Sequence, residues 1–211
     1  MGVSFFVIIS HMNYKEETMT MLFNEVCALQ RSPLYRFRVK NNYAPVIGDG
    51  DLNSPILFVG EAPGKKEAET GKPFCGASGK VLDALFVSAG ITRGSVYIAN
   101  LVKDRPPANR QPTQKEIALY GPFLKKQIDI IKPRVIVPLG RHSMKYVFTE
   151  FGLSSKIRPI SEIRGIHFKA QASYGEITVV ALYHPAVALY TRSNLPAMKR
   201  DMKKITRYVK K

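Results

Sequence analysis

Four short apolar runs divide this chain, and each stops at a loop of glycine, proline or polar residues. They cover residues 55–60, 96–102, 135–140 and 177–182. Runs this short and continuous read as strands buried on both faces of a parallel sheet. Longer stretches between them carry helix signals. Residues 78–89 precede Gly90, a residue suited to a left-handed C′ position. Thr113 and Glu116 match a capping box and open a helix predicted to reach Ile131, ended by Pro133. Residues 141–151 predict a third helix, and a last one follows a Ser193 or Asn194 cap with Pro196 in its first turn. Upstream, Met21, Leu22, Val26 and Leu29 give residues 18–29 one apolar helical face. Residues 31–51 are rich in breakers and charge and read as a long irregular segment. Strands alternating with helices define an α/β fold with a mostly parallel central sheet. The chain divides into an N-terminal extension and helix, 1–45, and a principal domain, 46–211, within a single compact unit.

Charge narrows the function. Lys and Arg number 32 against 16 Asp and Glu, a net of +16. Such a surface repels itself and needs a polyanionic partner; nucleic acid is the leading one and anionic membrane the second. Apolar residues at 45% and charged residues at 23% exclude a mostly disordered chain. The cysteines, Cys27 and Cys75, exclude a disulfide scaffold and cannot alone supply four thiolates to a metal. Residues 3–9 are apolar but far too short to span a membrane. They lack the basic flank and cleavage site of a signal peptide, and read as an edge strand or an upstream extension. A cytoplasmic, monomeric protein with no membrane partner is expected.

In open α/β sheets, ligands bind beyond the carboxyl ends of the strands. Three polar or breaker-rich segments fall there: residues 60–64, residues 100–110, and His184-Pro185.

Those segments carry a family resemblance. Gly60-Glu61-Ala62-Pro63-Gly64 comes first, then residues 71–79 with Phe74 and Cys75, then residues 100–110, then His184-Pro185-Ala186. In this order, over residues 46–204, they resemble the uracil-DNA glycosylase superfamily, and within it the fourth, thermostable iron–sulfur family. The resemblance implies a three-layer α/β/α fold and hydrolysis of the bond between uracil and deoxyribose in single- or double-stranded DNA. The base would be flipped into a pocket, at a cost of a few kcal/mol.

The resemblance also assigns roles. Glu61 and His184 are the catalytic pair. Glu61 positions water and supports the cationic sugar; Ala62 stands where some relatives carry a catalytic aspartate. His184 donates to uracil O2 as a neutral imidazole. Gly60, Ala62, Gly64, Phe74 and Asn100 form the base site, with Phe74 stacking and Asn100 reading the N3 and O4 edge. Lys80, Lys103, Arg105, Arg110 and Arg192 are candidate DNA contacts, and Tyr190 to Arg192 the segment that enters the duplex. His11, His142 and His167 lack such context and read as structural.

Two departures matter. Iron–sulfur relatives hold a [4Fe–4S] cluster on four cysteines. Asp104 and Tyr120 stand at two of those positions, and Ser32-Pro33-Leu34 replaces an expected Cys-Pro-Leu, with Cys27 as one surviving candidate. Cluster iron needs thiolates, so no cluster, metal or other cofactor is expected, and packing around Tyr120 and Phe123 should replace it. Second, Gly64 stands where some relatives carry a tyrosine that excludes thymine. The glycine opens one rival to uracil excision, a glycosylase for hypoxanthine or mismatched thymine; the missing cluster cysteines open another, a non-catalytic damaged-DNA-binding module.

Overall fold

The apolar runs form the middle of a six-stranded sheet in the computed structural model, which describes residues 14–209. The described elements, in chain order, begin with helices α1 (Tyr14–Cys27) and α2 (Tyr35–Lys40) and strands β1 (Gly48–Gly50) and β2 (Ile56–Gly60). Helices α3 (Lys65–Thr70) and α4 (Ala77–Ala89) lead to β3 (Tyr97–Asn100). Then come α5 (Gln114–Ile131), β4 (Val135–Pro138), α6 (Arg141–Glu150) and α7 (Ile160–Ile163). Strands β5 (Phe168–Ala172) and β6 (Gly175–Val179) precede α8 (Val187–Tyr190) and α9 (Leu195–Ile205). The apolar run at residues 3–9, His11, Lys210 and Lys211 lie outside the described residues.

The strand order is β1-β3-β2-β4-β6-β5. Strands β3, β2, β4 and β6 are mutually parallel, and the edges β1 and β5 are antiparallel. Every residue of β2, β3 and β4 is buried, as expected of a strand covered on both faces. Alternation along these strands splits the core. Ile56, Phe58, Ile98, Val135 and Val137 pack with Leu82 and Phe86 of α4 and Met198 and Met202 of α9. Leu57, Val59, Ala99 and Ile136 face the other way, onto Leu22 of α1, Leu124 and Ile128 of α5 and Val147 of α6. The result is three layers, helix–sheet–helix. Met19, Leu22 and Val26 of α1 thus share one core with the central strands.

Local signals explain several boundaries. Thr113 accepts from the Glu116 N–H at 3.2 Å and Glu116 accepts from the Thr113 N–H at 2.8 Å, so the capping box is complete. A cap of this kind is worth about 1 kcal/mol. Gly90 ends α4 in the left-handed region, φ 66°. The cap expected at Ser193 or Asn194 is different: Asn194 takes the N-cap position with helical backbone and no side-chain cap bond. The segment 31–51 is also not wholly irregular, since it holds α2 and β1. Its order comes from partners distant in sequence. Arg38 of α2 donates to Val26 O and Cys27 O, and β1 exists by pairing with β3.

Candidate active site

The sheet order reverses at β2, which has β3 on one side and β4 on the other. This switch point is where a doubly wound sheet opens a crevice. A cleft of about 590 Å³ lies there, lined by Glu61, Gly64, Glu67, Phe74, Asn100 and His184, with Ala62 and Arg110. The loop after β2 supplies Glu61, β3 ends on Asn100, and His184 follows the bridge between Leu139 and Leu182. Two backbone bonds tie the first two loops together: Leu101 N donates to Gly60 O and Val102 N to Glu61 O, both at 3.0 Å.

Gly60 forms the floor. A Cβ there would lie 2.2 Å from Asn100 Oδ1 and 2.6 Å from the Phe74 ring, so only glycine lets these side chains meet. Phe74 is 5% exposed and holds φ 48°, a conformation that costs a non-glycine residue about 1–3 kcal/mol. It is kept there by close packing: a Cβ on Gly79 would strike Phe74 O at 1.9 Å. The Phe74 ring lies 5.7 Å from that of His184, centre to centre, at 33°. The wall is therefore aromatic and suits a planar ligand.

Asn100 is 2% exposed and lines the cleft. A carboxamide there can meet a ligand that offers a matching donor and acceptor. His184 Nδ1 accepts from the Ala186 N–H at 3.2 Å, which leaves the neutral ring's proton on Nε2. Burial lowers the His184 pKa to about 4, against the opposing influence of the Glu67 carboxylate. The imidazole is thus neutral and a hydrogen-bond donor at physiological pH, as a donor to a developing anion must be.

Burial raises the pKa of Glu61, while His142 and Arg141 at the start of α6 counteract it. His142, read from sequence as structural, therefore influences the site. Losing either influence raises the Glu61 pKa further. We expect the acid limb of the pH–rate profile to move to higher pH in His142→Ala, with no limb from His184 near pH 6.5 in the wild type. Single-turnover rates across pH 4–9 measure both.

Glu67 is the residue that sequence reasoning missed. It lies in a polar hexapeptide, α3, with no apolar period to mark a buried position. Its Oε1 accepts from Cys75 N at 3.1 Å and Gly76 N at 2.8 Å, bracing the Phe74 loop. Its Oε2 would lie 2.6 Å from a Cβ on Gly64. The space that Gly64 leaves is therefore occupied by a carboxylate.

The expected DNA contacts divide. Lys80 and Arg192 are exposed. Arg110 lines the cleft and forks onto Glu116 at 2.6 and 2.9 Å. Arg105 is bound to Asn109 and the Tyr43 hydroxyl and lies over the Tyr43 and Phe37 rings. Lys103 requires a correction: it is 0% exposed and reaches no phosphate. Its Nζ donates to Asn100 O at 2.6 Å and to Gln127 Oε1, and burial lowers its pKa to about 7. Its chain position in a basic loop suggested solvent, but Asn100 O and Gln127 draw it inward. On the rim, Lys65 and Lys66 join the cleft, as do Leu189 and the 87% exposed Tyr190.

The positions that correspond to cluster ligands do not fit an iron–sulfur cluster. Ser32, Asp104 and Tyr120 bear oxygen, not sulfur, and bond to one another. The Arg38 guanidinium lies 3.3 Å from Asp104. Among the described residues, no group of three or more His, Cys, Asp or Glu side chains is placed to hold a metal ion. Tyr120 and Phe123 do pack together, with rings 6.4 Å apart, but the region is fastened chiefly by polar contacts.

Comparison with known proteins agrees with this geometry. The family model of the uracil DNA glycosylase superfamily matches residues 47–210. The chain is 42% identical to the type-4 uracil-DNA glycosylase of Sulfurisphaera tokodaii over 86% of this chain and 80% of the relative. It is 38% identical to that of Archaeoglobus fulgidus over 90% and 92%, and 38% to that of Thermotoga maritima over 93% and 97%. The chain belongs to the uracil DNA glycosylase superfamily.

Proposed function

We propose that this protein is a monofunctional uracil-DNA glycosylase of base-excision repair, acting on deoxyuridine in single- or double-stranded DNA. The observation that supports this best is one cleft holding the Asn100 amide, a neutral Nε2–H on His184 and the Glu61 carboxylate. A flipped uracil lies against Phe74. Asn100 accepts from N3–H and donates to O4. As the C1′–N1 bond breaks, its electron pair goes to the base, and His184 stabilises the charge at O2 by donating from Nε2. Glu61 supports the positive charge at C1′ and orients the water whose oxygen forms the new C1′–O bond; the proton that the water loses passes by way of Glu61 to the uracil anion, which leaves as neutral uracil. Lys103, a buried amine of lowered pKa, does not line the cleft, and Lys65 and Lys66, which do, are assigned to the phosphate backbone, so the reaction uses no lysine attack on C1′ and the strand stays uncut.

The Glu67 carboxylate beside Gly64 argues against thymine as the substrate, because that space already holds a charged group. The rim supplies Lys65, Lys66 and Arg110 toward the backbone, with Leu189 and Tyr190 to fill the gap a flipped base leaves. A panel of duplexes with one uracil, hypoxanthine or mismatched thymine tests the substrate. Alkali-labile sites should form at uracil; formation only at another lesion, or binding without any abasic site, would overturn the reading.

The net charge of +16 gives a further expectation. Affinity for undamaged duplex should fall linearly with salt on logarithmic axes, by about 0.9 for each phosphate neutralised. Fluorescence anisotropy from low to moderate salt measures the slope, and a slope near zero would show that the basic residues do not face DNA.

A further inference from the structure

Four buried side chains meet where relatives carry their iron–sulfur cluster. Ser32, Arg38, Asp104 and Tyr120 are 4%, 6%, 1% and 0% exposed. The Tyr120 hydroxyl donates to Asp104 Oδ2 at 2.6 Å, and its oxygen lies 2.8 Å from Ser32 Oγ. Arg38 donates to Asp104 Oδ1 at 3.3 Å and also to Val26 O and Cys27 O. Both carboxylate oxygens are engaged, and the guanidinium shares its charge with two backbone carbonyls. A buried ion pair is tolerated when its remaining donors and acceptors are satisfied in this way. The network joins the end of α1, α2, α5 and the loop after β3.

That loop runs directly into the cleft. From Asp104 it passes back through Lys103, whose Nζ holds Asn100 O and whose own carbonyl accepts from Val46 N at 2.8 Å. It continues through Val102, whose N–H holds Glu61 O. Displacing Asp104 therefore displaces both the base-reading amide and the catalytic loop. We propose that Ser32, Arg38, Asp104 and Tyr120 form a metal-free clamp in the place of the cluster, and that Asp104 and Tyr120 are positioning residues for Asn100 and Glu61. The proposal rests on the glycosylase reading, and its test separates the two.

The wild type, produced with added iron and purified anaerobically, should be colourless and hold no stoichiometric iron or sulfide. About four irons per chain would overturn the clamp whatever the activity. Asp104→Asn and Tyr120→Phe keep the shape and weaken the network. Well below their melting temperatures, each should lower kcat for uracil release by on the order of tenfold. KM and affinity for undamaged duplex should stay within about twofold, because the basic surface is untouched. Ser32→Ala leaves the Asp104 bonds in place, removing the hydroxyl that meets Tyr120 and accepts from Leu34 N, and keeps the test readable where the others fail to fold; it should lower kcat in the same direction. Folded variants with wild-type kcat would overturn the positioning role. A wild type that releases no uracil would defeat the functional reading, while iron content would still decide whether the clamp stands in the cluster's place.

Discussion

Glu61→Ala lowers the single-turnover rate of uracil release by at least about 10²-fold, the scale of a main electrostatic contributor in a water-poor site. The fold survives the change, because Glu61 meets its neighbours through its backbone: its carbonyl accepts from Val102 N. Its carboxylate lines the cleft in an environment that raises its pKa, so the protein holds the charge at an energetic cost. In the proposed mechanism, such a carboxylate faces the cation of the transition state. Glu61→Gln separates charge from shape, and should lose activity to a similar degree with an unchanged melting temperature. Wild-type turnover in either variant would remove Glu61 from the mechanism.

Asn100→Asp weakens uracil release by at least about tenfold and produces measurable cytosine release. Cytosine differs from uracil at two atoms of the edge that the proposal assigns to Asn100: N3 is an acceptor and position 4 carries an amino donor. Each buried mismatch costs about 1–3 kcal/mol. An aspartate oxygen accepts from the cytosine amino group. In a site already holding Glu61 and Glu67, burial and like charge favour the protonated acid, which can donate to N3. Release of cytosine from a duplex with one mismatched cytosine measures the gain. Unchanged uracil release would make Asn100 a turn residue and place base reading elsewhere.

What the sequence made legible follows from physics. The central strands are continuous apolar runs because both faces are covered, and α5 announced itself through Thr113 and Glu116. The edge strands did not. β1 contains glycine and aspartate and no apolar residue, and is held by backbone pairing to β3. β5 is an alternating, partly exposed edge that, among the described residues, pairs only with β6. Glu61, Asn100 and His184 could be found because each sits at the carboxyl end of a strand within a short motif. Glu67 could not, since nothing local marks a carboxylate that is buried by a loop several residues further on. Lys103, in the loop after β3, misled because its partner Gln127 lies on α5, remote in sequence. Arg38 was hidden in the same way, its partner Asp104 being remote in sequence.

Uracil excision without a metal is measured by incubating the wild-type protein with a duplex bearing one deoxyuridine, in the presence of a metal chelator. Free uracil should appear in amounts equal to the abasic sites formed, with the strand intact until alkali is added. Tight binding to the uracil duplex without release of free uracil, or strand cleavage before alkali, would contradict that expectation.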